Sequence, residues 1–534
     1  MNGKARSYLR LRDKRSEKQL YSVKTKDFPI SSDSTYRNHS VKALLVYPEF
    51  PDTFWSFRYA LKFIRRKASS PPLGLLTIAA MLPEEWEKRL VDMNVESLDD
   101  EDVRWADIVF VSAMSVQKES VKEVIQRCKT AGVRIVAGGP LFTTEYEAFG
   151  AVDHLVLNEA EITLPRFLED FEKGDAGHFY TTDRWADIRK TPIPLWGLIN
   201  MKHYASINIQ YSRGCPFNCE FCDITLLCGR KPRTKDKDQI IRELESIYAL
   251  GFRGGVFFVD DNFIGNKKKL KEEVLPAIIE WMERRKHPFT FNTQASIELS
   301  DHKDLMEMMV RAGFDVVFVG IETPHEQSLA ECNKFQNRNR DLLASVREIQ
   351  KSGLEVQGGF IIGFDNDPLT IFDTQIKFIQ KSGVVTAMVG ILIALPRTQL
   401  YERLKSEQRL LKETSGNNTD FATNFIPKMD YDLLIKGYKR VLQTIYSPKH
   451  YYERVRTFLS EYIPPKKKLF HFRFSYIAAF IRSVIVLGIV GKERFHYWRL
   501  LLWTVISRPR LLPQAVTLSI YGFHFRKVFE KRIS

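Results

Sequence analysis

Two long stretches of the chain alternate short apolar runs with amphipathic segments. In residues 41–170 the spacing of apolar positions in segments such as Ser120–Ala131 predicts helices. The apolar runs between them predict strands at Lys42–Tyr47, Arg89–Met93, Ile108–Ser112, Arg134–Ala137 and His154–Leu157. Strands that alternate with helices form βαβ units. We therefore predict a doubly wound parallel sheet with a ligand crevice at the carboxyl ends of its strands.

The same alternation returns in residues 205–410, where Asp236–Leu250 and Leu342–Ser352 have helical spacing. Six strands are predicted here, at Ser206–Tyr211, Gly255–Asp260, Phe289–Thr293, Val316–Ile321, Val356–Ile362 and Met388–Leu395. Six βα units are too few for the closed eight-stranded barrel. The pattern predicts a second parallel α/β domain with an incomplete barrel.

The remaining segments differ in character from these two domains. Residues 1–40 are polar, charged and rich in serine, which predicts a basic disordered arm. Residues 171–204 cluster Gly, Asp, Thr and Pro and are interpreted as a linker. Residues 411–534 are predicted to form a helical C-terminal extension, and packing on the barrel is the simplest role for its first part.

Net charge is unevenly distributed along the chain. The chain carries +15 overall, yet residues 466–534 alone contain 14 Lys or Arg and only 2 Asp or Glu. Such asymmetry indicates an anionic partner surface, either membrane or nucleic acid. The N-terminus shows no apolar signal segment, and six cysteines without even spacing argue against a secreted disulfide protein. We predict a cytoplasmic protein.

The end of the chain combines aromatic with basic residues. Lys466–Lys468 leads into an aromatic run, and apolar stretches follow at Ile485–Val490, Trp498–Ile506 and Leu511–Ile520. Basic residues interrupt every apolar run before it reaches membrane-spanning length. Basic amphipathic segments with aromatic residues are typical of helices that lie in the membrane interface. A helical subdomain packed on the barrel is the alternative, and nucleic-acid binding explains the aliphatic runs poorly.

Cys215, Cys219 and Cys222 form a CxxxCxxC run directly after the first strand of the second domain. Three thiols in eight residues can face a common centre, and iron–sulfur clusters are held by cysteine thiolates. A zinc site usually has two separated pairs, and a disulfide or buried apolar cysteines are further alternatives. The other three cysteines, Cys128, Cys228 and Cys332, are interpreted as buried or free thiols.

This cysteine spacing and the six βα units resemble the radical S-adenosylmethionine (SAM) superfamily. The resemblance implies a partial (βα)6 barrel, a 4Fe–4S cluster on the three cysteines, and SAM bound at the open iron. It also implies SAM-binding residues at successive strand ends. These are Asp260, Asp261 and Asn262 for the amino group, Gln294 and Ser296 for the carboxylate or ribose, Glu322 for the ribose, and Gly359 and Gly363 near the adenine. A solvated helix N-cap is the alternative for the aspartates.

Upstream of such a barrel, residues 41–170 resemble the cobalamin-binding domain of cobalamin-dependent radical SAM enzymes. The candidate cobalamin contacts are Gly138, Gly139 and Pro140 after the fourth strand and Glu159 after the fifth. The Asp-x-His-x-x-Gly motif of the methionine-synthase type is missing from the sequence, which indicates that no histidine binds cobalt from below. The axial ligand stays open.

The resemblance extends in layout to the hopanoid methylase branch, which implies C-methylation of an unactivated carbon in a membrane lipid of hopanoid or isoprenoid type. Ring or C–C bond formation without methyl transfer is the alternative enzyme activity. A membrane-bound sensor and a tRNA-modifying enzyme are weaker hypotheses. We expect an external electron donor of flavodoxin or ferredoxin type, peripheral attachment to the inner face of the membrane, and no nucleic acid.

Overall fold

The computed structural model describes residues 40–411, 416–417, 420–465 and 474–533. Nearly all of the predicted N-terminal arm and the basic–aromatic run at residues 466–473 lie outside the described residues. The described chain contains two six-stranded parallel sheets and a two-stranded antiparallel sheet, followed by a helical extension.

The first sheet has the strand order β2-β1-β3-β4-β5-β6, and all of its strands are parallel. Its strands are β1 Lys42–Tyr47, β2 Glu87–Asp92, β3 Ile108–Ser112, β4 Arg134–Gly138, β5 His154–Val156 and β6 Phe179–Tyr180. The connecting helices are α1 Arg58–Leu61, α2 Leu73–Met81, α3 Asp100–Trp105, α4 Lys118–Thr130, α5 Pro140–Glu145 and α6 Ala160–Lys173.

Burial on both faces of this sheet explains the continuous apolar runs in the sequence. Ala43 and Leu45 pack into one hydrophobic cluster with Leu164 of α6, whereas Leu44 and Val46 belong to a second cluster. Parallel strands with helices on both faces need apolar residues at consecutive positions. The doubly wound α/β prediction is confirmed. The two-residue strand β6 lies within the segment interpreted as a linker.

The second sheet has the order β7-β10-β11-β12-β13-β14, again with every pair parallel. Its strands are β7 Ser206–Ile209, β10 Gly254–Phe258, β11 Phe289–Gln294, β12 Phe314–Glu322, β13 Glu355–Ile362 and β14 Ala387–Ile391. A short hairpin of β8 Ser212–Arg213 and β9 Arg233–Thr234 follows β7. Strands β7 and β14 form the edges of the sheet, so the predicted incomplete barrel is confirmed.

The helices of the barrel lie between these strands and after the last one. They are α7 Ile224–Cys228, α8 Lys237–Ala249, α9 Lys267–Lys269, α10 Leu275–Arg284, α11 Lys303–Ala312, α12 Glu326–Glu331, α13 Leu342–Lys351, α14 Ile371–Ser382 and α15 Gln399–Ser406. The extension that follows contains α16 Tyr431–Ile445, α17 Pro448–Glu461, α18 Phe474–Ser483, a π-helix at Val484–Val490, α19 Arg494–Ser507 and α20 Leu512–Ile533.

The extension covers the open edge of the barrel. Tyr438 donates a hydrogen bond to the carbonyl oxygen of Val389 at 2.9 Å, and Tyr446 donates one to that of Ala387 at 2.6 Å. Both acceptors belong to the edge strand β14, whose outer carbonyls have no neighbouring strand. The two tyrosines therefore take the place of a seventh strand and satisfy groups that would otherwise be exposed.

Helix α20 returns to the start of the first domain. The ring of Phe525 stacks on Phe54 with 4.1 Å between centroids, and Nε2 of His524 lies 3.0 Å from the carbonyl oxygen of Phe54. The last helix therefore joins the extension to the segment that follows β1. None of the helices in the described part of the chain has both the length and the apolar character needed to cross a bilayer.

Candidate active site

The cysteine run lies between β8 and β9, the two strands of the hairpin after β7. Gly214 precedes it with a φ of +94°, and a Cβ there would lie 2.9 Å from the carbonyl oxygens of Cys228 and Gly229. Only glycine therefore fits at the start of the loop. All six cysteines are free thiols, which excludes the disulfide alternative in this structure.

The placement of the three thiols bears on the kind of metal centre that they could hold. Among the described residues, no three His, Cys, Asp or Glu side chains are close enough to hold one metal ion. A zinc site needs such convergence. In a 4Fe–4S cluster each cysteine binds a different iron, so its ligands stand further apart. The CxxxCxxC spacing remains the observation that favours a cluster over a single ion.

A buried cation lies beside these thiols. Nζ of Lys334 is 2.7 Å from Oε1 of Glu322, and Nε2 of Gln336 is 3.7 Å from Sγ of Cys219. Burial alone would lower the pKa of Lys334, but the charges of Glu322 and Cys219 outweigh it and hold that pKa above its usual value. Sequence reasoning missed Lys334 and Gln336 because they lie in a loop without a recognisable pattern.

Burial also raises the pKa of the Cys215 and Cys222 thiols, and the nearby Asp223 carboxylate adds to the effect at Cys222. The Lys334 ammonium acts in the opposite direction but does not outweigh burial at either thiol. A metal centre offers the compensating positive charge that deprotonates a coordinating thiol. The site is thus suited to a positively charged soft centre.

The two aspartates after β10 have different environments. Asp260 is fully buried and accepts hydrogen bonds from the backbone N–H groups of Tyr211 and Ser212 and from the Ser212 hydroxyl. Burial raises its pKa to about 7. Its carboxylate fixes the turn that leads β7 into the cysteine loop. The helix N-cap alternative does not describe Asp260.

Asp261, unlike Asp260, faces a cavity inside the protein. It lines the main cavity, and its contact with the N–H of Gly214 is long at 3.4 Å. Burial raises its pKa to about 6, and the neighbouring Asp223 contributes in the same direction. Asp261 is therefore a carboxylate with unused acceptor capacity beside the cysteine loop.

The strand ends of β11 and β12 carry further predicted residues. Gln294 lines the cavity, and the Asn262 side chain accepts a hydrogen bond from the N–H of Ser296 at 3.2 Å. The hydroxyl of Ser296 is buried without a hydrogen-bond partner among the described residues and does not line the cavity, so its role toward SAM stays a prediction. Glu322 has a φ of +61° and is paired with Lys334.

Gly359 of β13 and Gly363, which follows that strand, do not line the cavity. A Cβ on Gly359 would come within 2.8 Å of the Phe318 ring, and the N–H of Gly363 donates to Asp367 at 2.8 Å. Both glycines thus meet packing requirements of the barrel itself, and their role near an adenine stays a prediction. Arg397, which follows β14, pairs with Glu147 of the first domain at 2.9 Å.

One cavity of about 2500 Å³ connects the two sheets. From the first sheet it is lined by Ser112, by Gly138, Gly139 and Pro140, and by Glu159. Gly139 has a φ of +91°, and a Cβ there would lie 2.5 Å from Oγ of Ser112. A pocket for one drug-sized ligand measures roughly 300–1,000 Å³. The cavity therefore has room for several large ligands at once.

Glu159 and Glu161 tie the first domain to both sides of the cysteine loop. Glu159 forms a two-point ion pair with Arg233 at 2.8 Å, and Glu161 forms one with Arg213 at 2.8 and 3.0 Å. The two arginines lie opposite each other on the hairpin that carries the loop. The Glu159 carboxylate is thus held by arginines, and its predicted contact with cobalamin stays a prediction.

Three family models match successive parts of this chain. The B12 binding domain matches residues 63–168, the radical SAM superfamily matches residues 209–390, and a domain of unknown function, DUF4070, matches residues 398–534. An uncharacterised methyltransferase of Synechocystis sp. is 41% identical over 493 residues, which cover 91% of each chain. The chain is a cobalamin-binding radical SAM enzyme.

A second relative of the enzyme is the hopanoid C-2 methylase of Rhodopseudomonas palustris. It is 34% identical over 416 residues, which cover 77% of this chain and 78% of the relative. Together with the two cofactor domains, these relatives identify the enzyme as a cobalamin-dependent radical SAM methyltransferase.

Solved structures show the same fold. The cobalamin-dependent radical SAM enzyme OxsB matches with a TM-score of 0.58 and 16% identity, covering 92% of this chain and 80% of that one. The methyltransferase TsrM of Kitasatospora setae matches with a TM-score of 0.54 and 15% identity, covering 69% and 78%.

The enzyme uses a 4Fe–4S cluster, SAM and cobalamin. Its residues fit these groups, because the cysteine loop offers three thiols outside any disulfide and Asp261 offers a cavity-lining carboxylate beside that loop. The cavity volume also suffices for a corrin beside SAM. Of the cavity-lining residues that the structure describes, only His287 is a histidine, and it belongs to the barrel. The axial ligand of cobalt stays open.

We expect Asp261→Asn to weaken SAM binding about tenfold, because a charge-assisted hydrogen bond to an ammonium group contributes roughly 1.5–3 kcal/mol. Equilibrium dialysis with the reconstituted enzyme measures the dissociation constant. Asp315→Asn is the matched control, since Asp315 lines the same cavity at the amino end of β12. Equal affinities for both variants would assign the amino group of SAM to another residue.

Proposed function

We propose that the enzyme methylates an unactivated carbon of a membrane lipid of hopanoid or isoprenoid type. The single observation that carries this proposal is the continuous cavity between the two sheets. It is lined at one side by the strand ends of the first domain and at the other by Asp261 and Gln294 of the barrel. A substrate inside it would lie between the residues proposed to contact cobalamin and those proposed to contact SAM.

The interior of the barrel is suited to an apolar substrate. Phe257 of β10, Val316 and Phe318 of β12 and Met388 of β14 line the same cavity. These side chains offer contact area without hydrogen-bonding groups, which suits a hydrocarbon and leaves a polar substrate unsatisfied. The named activity of the hopanoid C-2 methylase agrees with this chemistry.

The C-terminal extension has an exposed apolar surface. Large apolar side chains are exposed along α18, the π-helix and α19, including Ile481, Ile485, Ile489, Val490, Phe495, Leu502 and Ile506. An exposed patch of this kind marks an interaction site. Arginines and lysines interrupt it, so an anionic bilayer complements it in both hydropathy and charge. We infer peripheral attachment to a membrane surface.

When bound, the cluster and SAM supply hydrogen abstraction from an unactivated carbon, and cobalamin supplies the methyl group. The residues of this chain bind and orient SAM and the lipid, and they shield them from water. Asp261, Gln294 and Ser296 are the proposed contacts to SAM. The apolar barrel residues hold the lipid and exclude water. An external one-electron donor of flavodoxin or ferredoxin type completes the requirements.

Anaerobic incubation with anionic vesicles that carry a pentacyclic hopanoid tests the proposal. We expect the reconstituted enzyme to sediment with the vesicles, to form 5′-deoxyadenosine, and to yield a hopanoid heavier by one CH2 group. Vesicles of zwitterionic lipid are the control for the charge contribution. A product lighter by two hydrogen atoms would instead support ring formation, and deoxyadenosine without a lipid product would overturn the lipid substrate.

A further inference from the structure

We propose that the C-terminal extension forms the entrance through which the lipid reaches the cavity, between α18 and α20. This inference rests on the proposed lipid substrate and adds the route that the substrate takes. It assigns a function to the extension that neither cofactor domain supplies.

The inference rests on three side chains of α18 that line the cavity and are also exposed on the outer surface of the protein. Tyr476, Ile477 and Phe480 line the main cavity, and their exposed fractions are 49%, 37% and 38%. A buried wall would be closed to solvent at these positions. The cavity therefore opens to the outside at this helix, and its rim is apolar.

The opposite side of the opening is apolar as well. Leu512, Val516 and Ile520 of α20 and Leu61 and Ile64 of the first domain line the same cavity. An opening lined mainly by apolar side chains favours a hydrocarbon over a polar solute.

The end of α18 is fixed to the first domain. Arg482 donates a hydrogen bond to the carbonyl oxygen of Phe63 at 2.5 Å, and Phe63 packs on Phe523 of α20 at 5.7 Å. These contacts hold the two helices and the 62–64 turn together around the opening.

The path from this opening follows the interior of the barrel. Gly254, Phe289 and Phe314 line the cavity at the amino ends of their strands, and Asp261 and Gln294 line it just beyond the carboxyl ends. A six-residue strand spans roughly 20 Å at about 3.3 Å per residue. A substrate that fills this path is long and narrow, as a flat polycyclic or isoprenoid lipid is.

The apolar surface continues outward from the opening. Ile481 near the end of α18 and Ile485 in the π-helix that follows are about half exposed, and neither lines the cavity. The rim is therefore continuous with the surface proposed to contact the membrane. A lipid can move from the bilayer into the cavity without crossing water.

Ile477→Asp tests this route, because a carboxylate at the rim must lose water whenever a hydrocarbon passes it. The probe is a fluorescent tetracyclic sterol presented in detergent micelles, where attachment to a bilayer plays no part. We expect its association rate to fall at least tenfold. Leu433→Asp is the matched control, since Leu433 is a similarly exposed apolar residue on α16 outside the cavity. Ile477→Leu should associate like the wild type.

Iron and cobalamin contents, read from absorbance spectra, establish that each variant is folded and loaded. A wild-type association rate in Ile477→Asp, or no binding of the sterol to the wild type, would overturn the entrance. Loss of binding to vesicles alone, with normal association from micelles, would also overturn it and assign Ile477 to membrane attachment. Sterol binding that depends on Ile477, without any methylated hopanoid, would keep the entrance and reject the proposed function.

Discussion

Cys219→Ala is expected to abolish both SAM cleavage and methyl transfer, a loss of more than about 10³-fold, because the cofactors carry the difficult chemistry. Cys219 is the central cysteine of the run and is buried next to Gln336. Two remaining thiolates leave two irons of the cluster without a protein ligand. Iron and sulfide content, the visible absorbance spectrum and the yield of 5′-deoxyadenosine measure the effect.

Cys228→Ala is the matched control for this prediction. Cys228 lies at the end of α7, close to the same loop, and lines the cavity. We expect the variant to keep its iron and its deoxyadenosine yield, since three thiolates already hold the cluster. A loss of iron in Cys228→Ala as large as that in Cys219→Ala would make Cys228 a ligand and revise the motif.

Glu161→Gln is expected to destabilise the protein by about 3 kcal/mol at neutral pH. Burial alone would raise the pKa of Glu161, but the Arg213 guanidinium and the Thr191 hydroxyl outweigh it and lower that pKa to about 2. The difference from the usual value of 4.5 corresponds to about 3 kcal/mol at 1.36 kcal/mol per unit. Loss of one partner of a buried ion pair costs a similar amount.

The direction of the pKa shift of Glu161 determines how the stability difference between wild type and Glu161→Gln depends on pH. A carboxylate whose pKa is lowered by folding stabilises the protein above its unfolded pKa and stops doing so as the pH falls towards the folded value. The difference in the free energy of unfolding between wild type and Glu161→Gln should therefore reach its full value above about pH 5 and decrease below about pH 4.5. Urea unfolding curves at several pH values measure it.

Glu119→Gln provides the comparison, because Glu119 pairs with Lys122 on an exposed helix surface. Such a pair contributes roughly 0–1 kcal/mol. Equal effects of the two substitutions would show that the pairing of Glu161 with Arg213 adds nothing to stability. A gap that does not change with pH would contradict the assignment of the effect to the Glu161 charge.

Much of the fold follows from the sequence because both sheets are parallel and buried on both faces. Such strands leave continuous apolar runs, and the predicted bounds of Lys42–Tyr47 and Ile108–Ser112 coincide with β1 and β3. The two-residue strands β6, β8 and β9 are too short to leave a periodic signal. Their positions depend on the tertiary structure.

The candidate site likewise has features that the sequence predicts and features that depend on the tertiary structure. The cysteine spacing is a local signal, and it located the loop correctly after the first barrel strand. The distinct environments of Asp260 and Asp261 could not be predicted, because adjacent residues acquire them only when Ser212 folds back onto β10. The pairing of Glu159 with Arg233 joins residues 74 positions apart, which single-sequence patterns do not report.

The tyrosine hydroxyls on strand β14 make the extension part of the barrel's own hydrogen-bonding scheme. A radical SAM barrel cut off after its last strand would present the carbonyl groups of Ala387 and Val389 to any passing chain. We therefore expect barrel and extension to be inherited together. An exchange of C-terminal regions between relatives should preserve solubility only when hydroxyl donors at positions 438 and 446 come with the new segment.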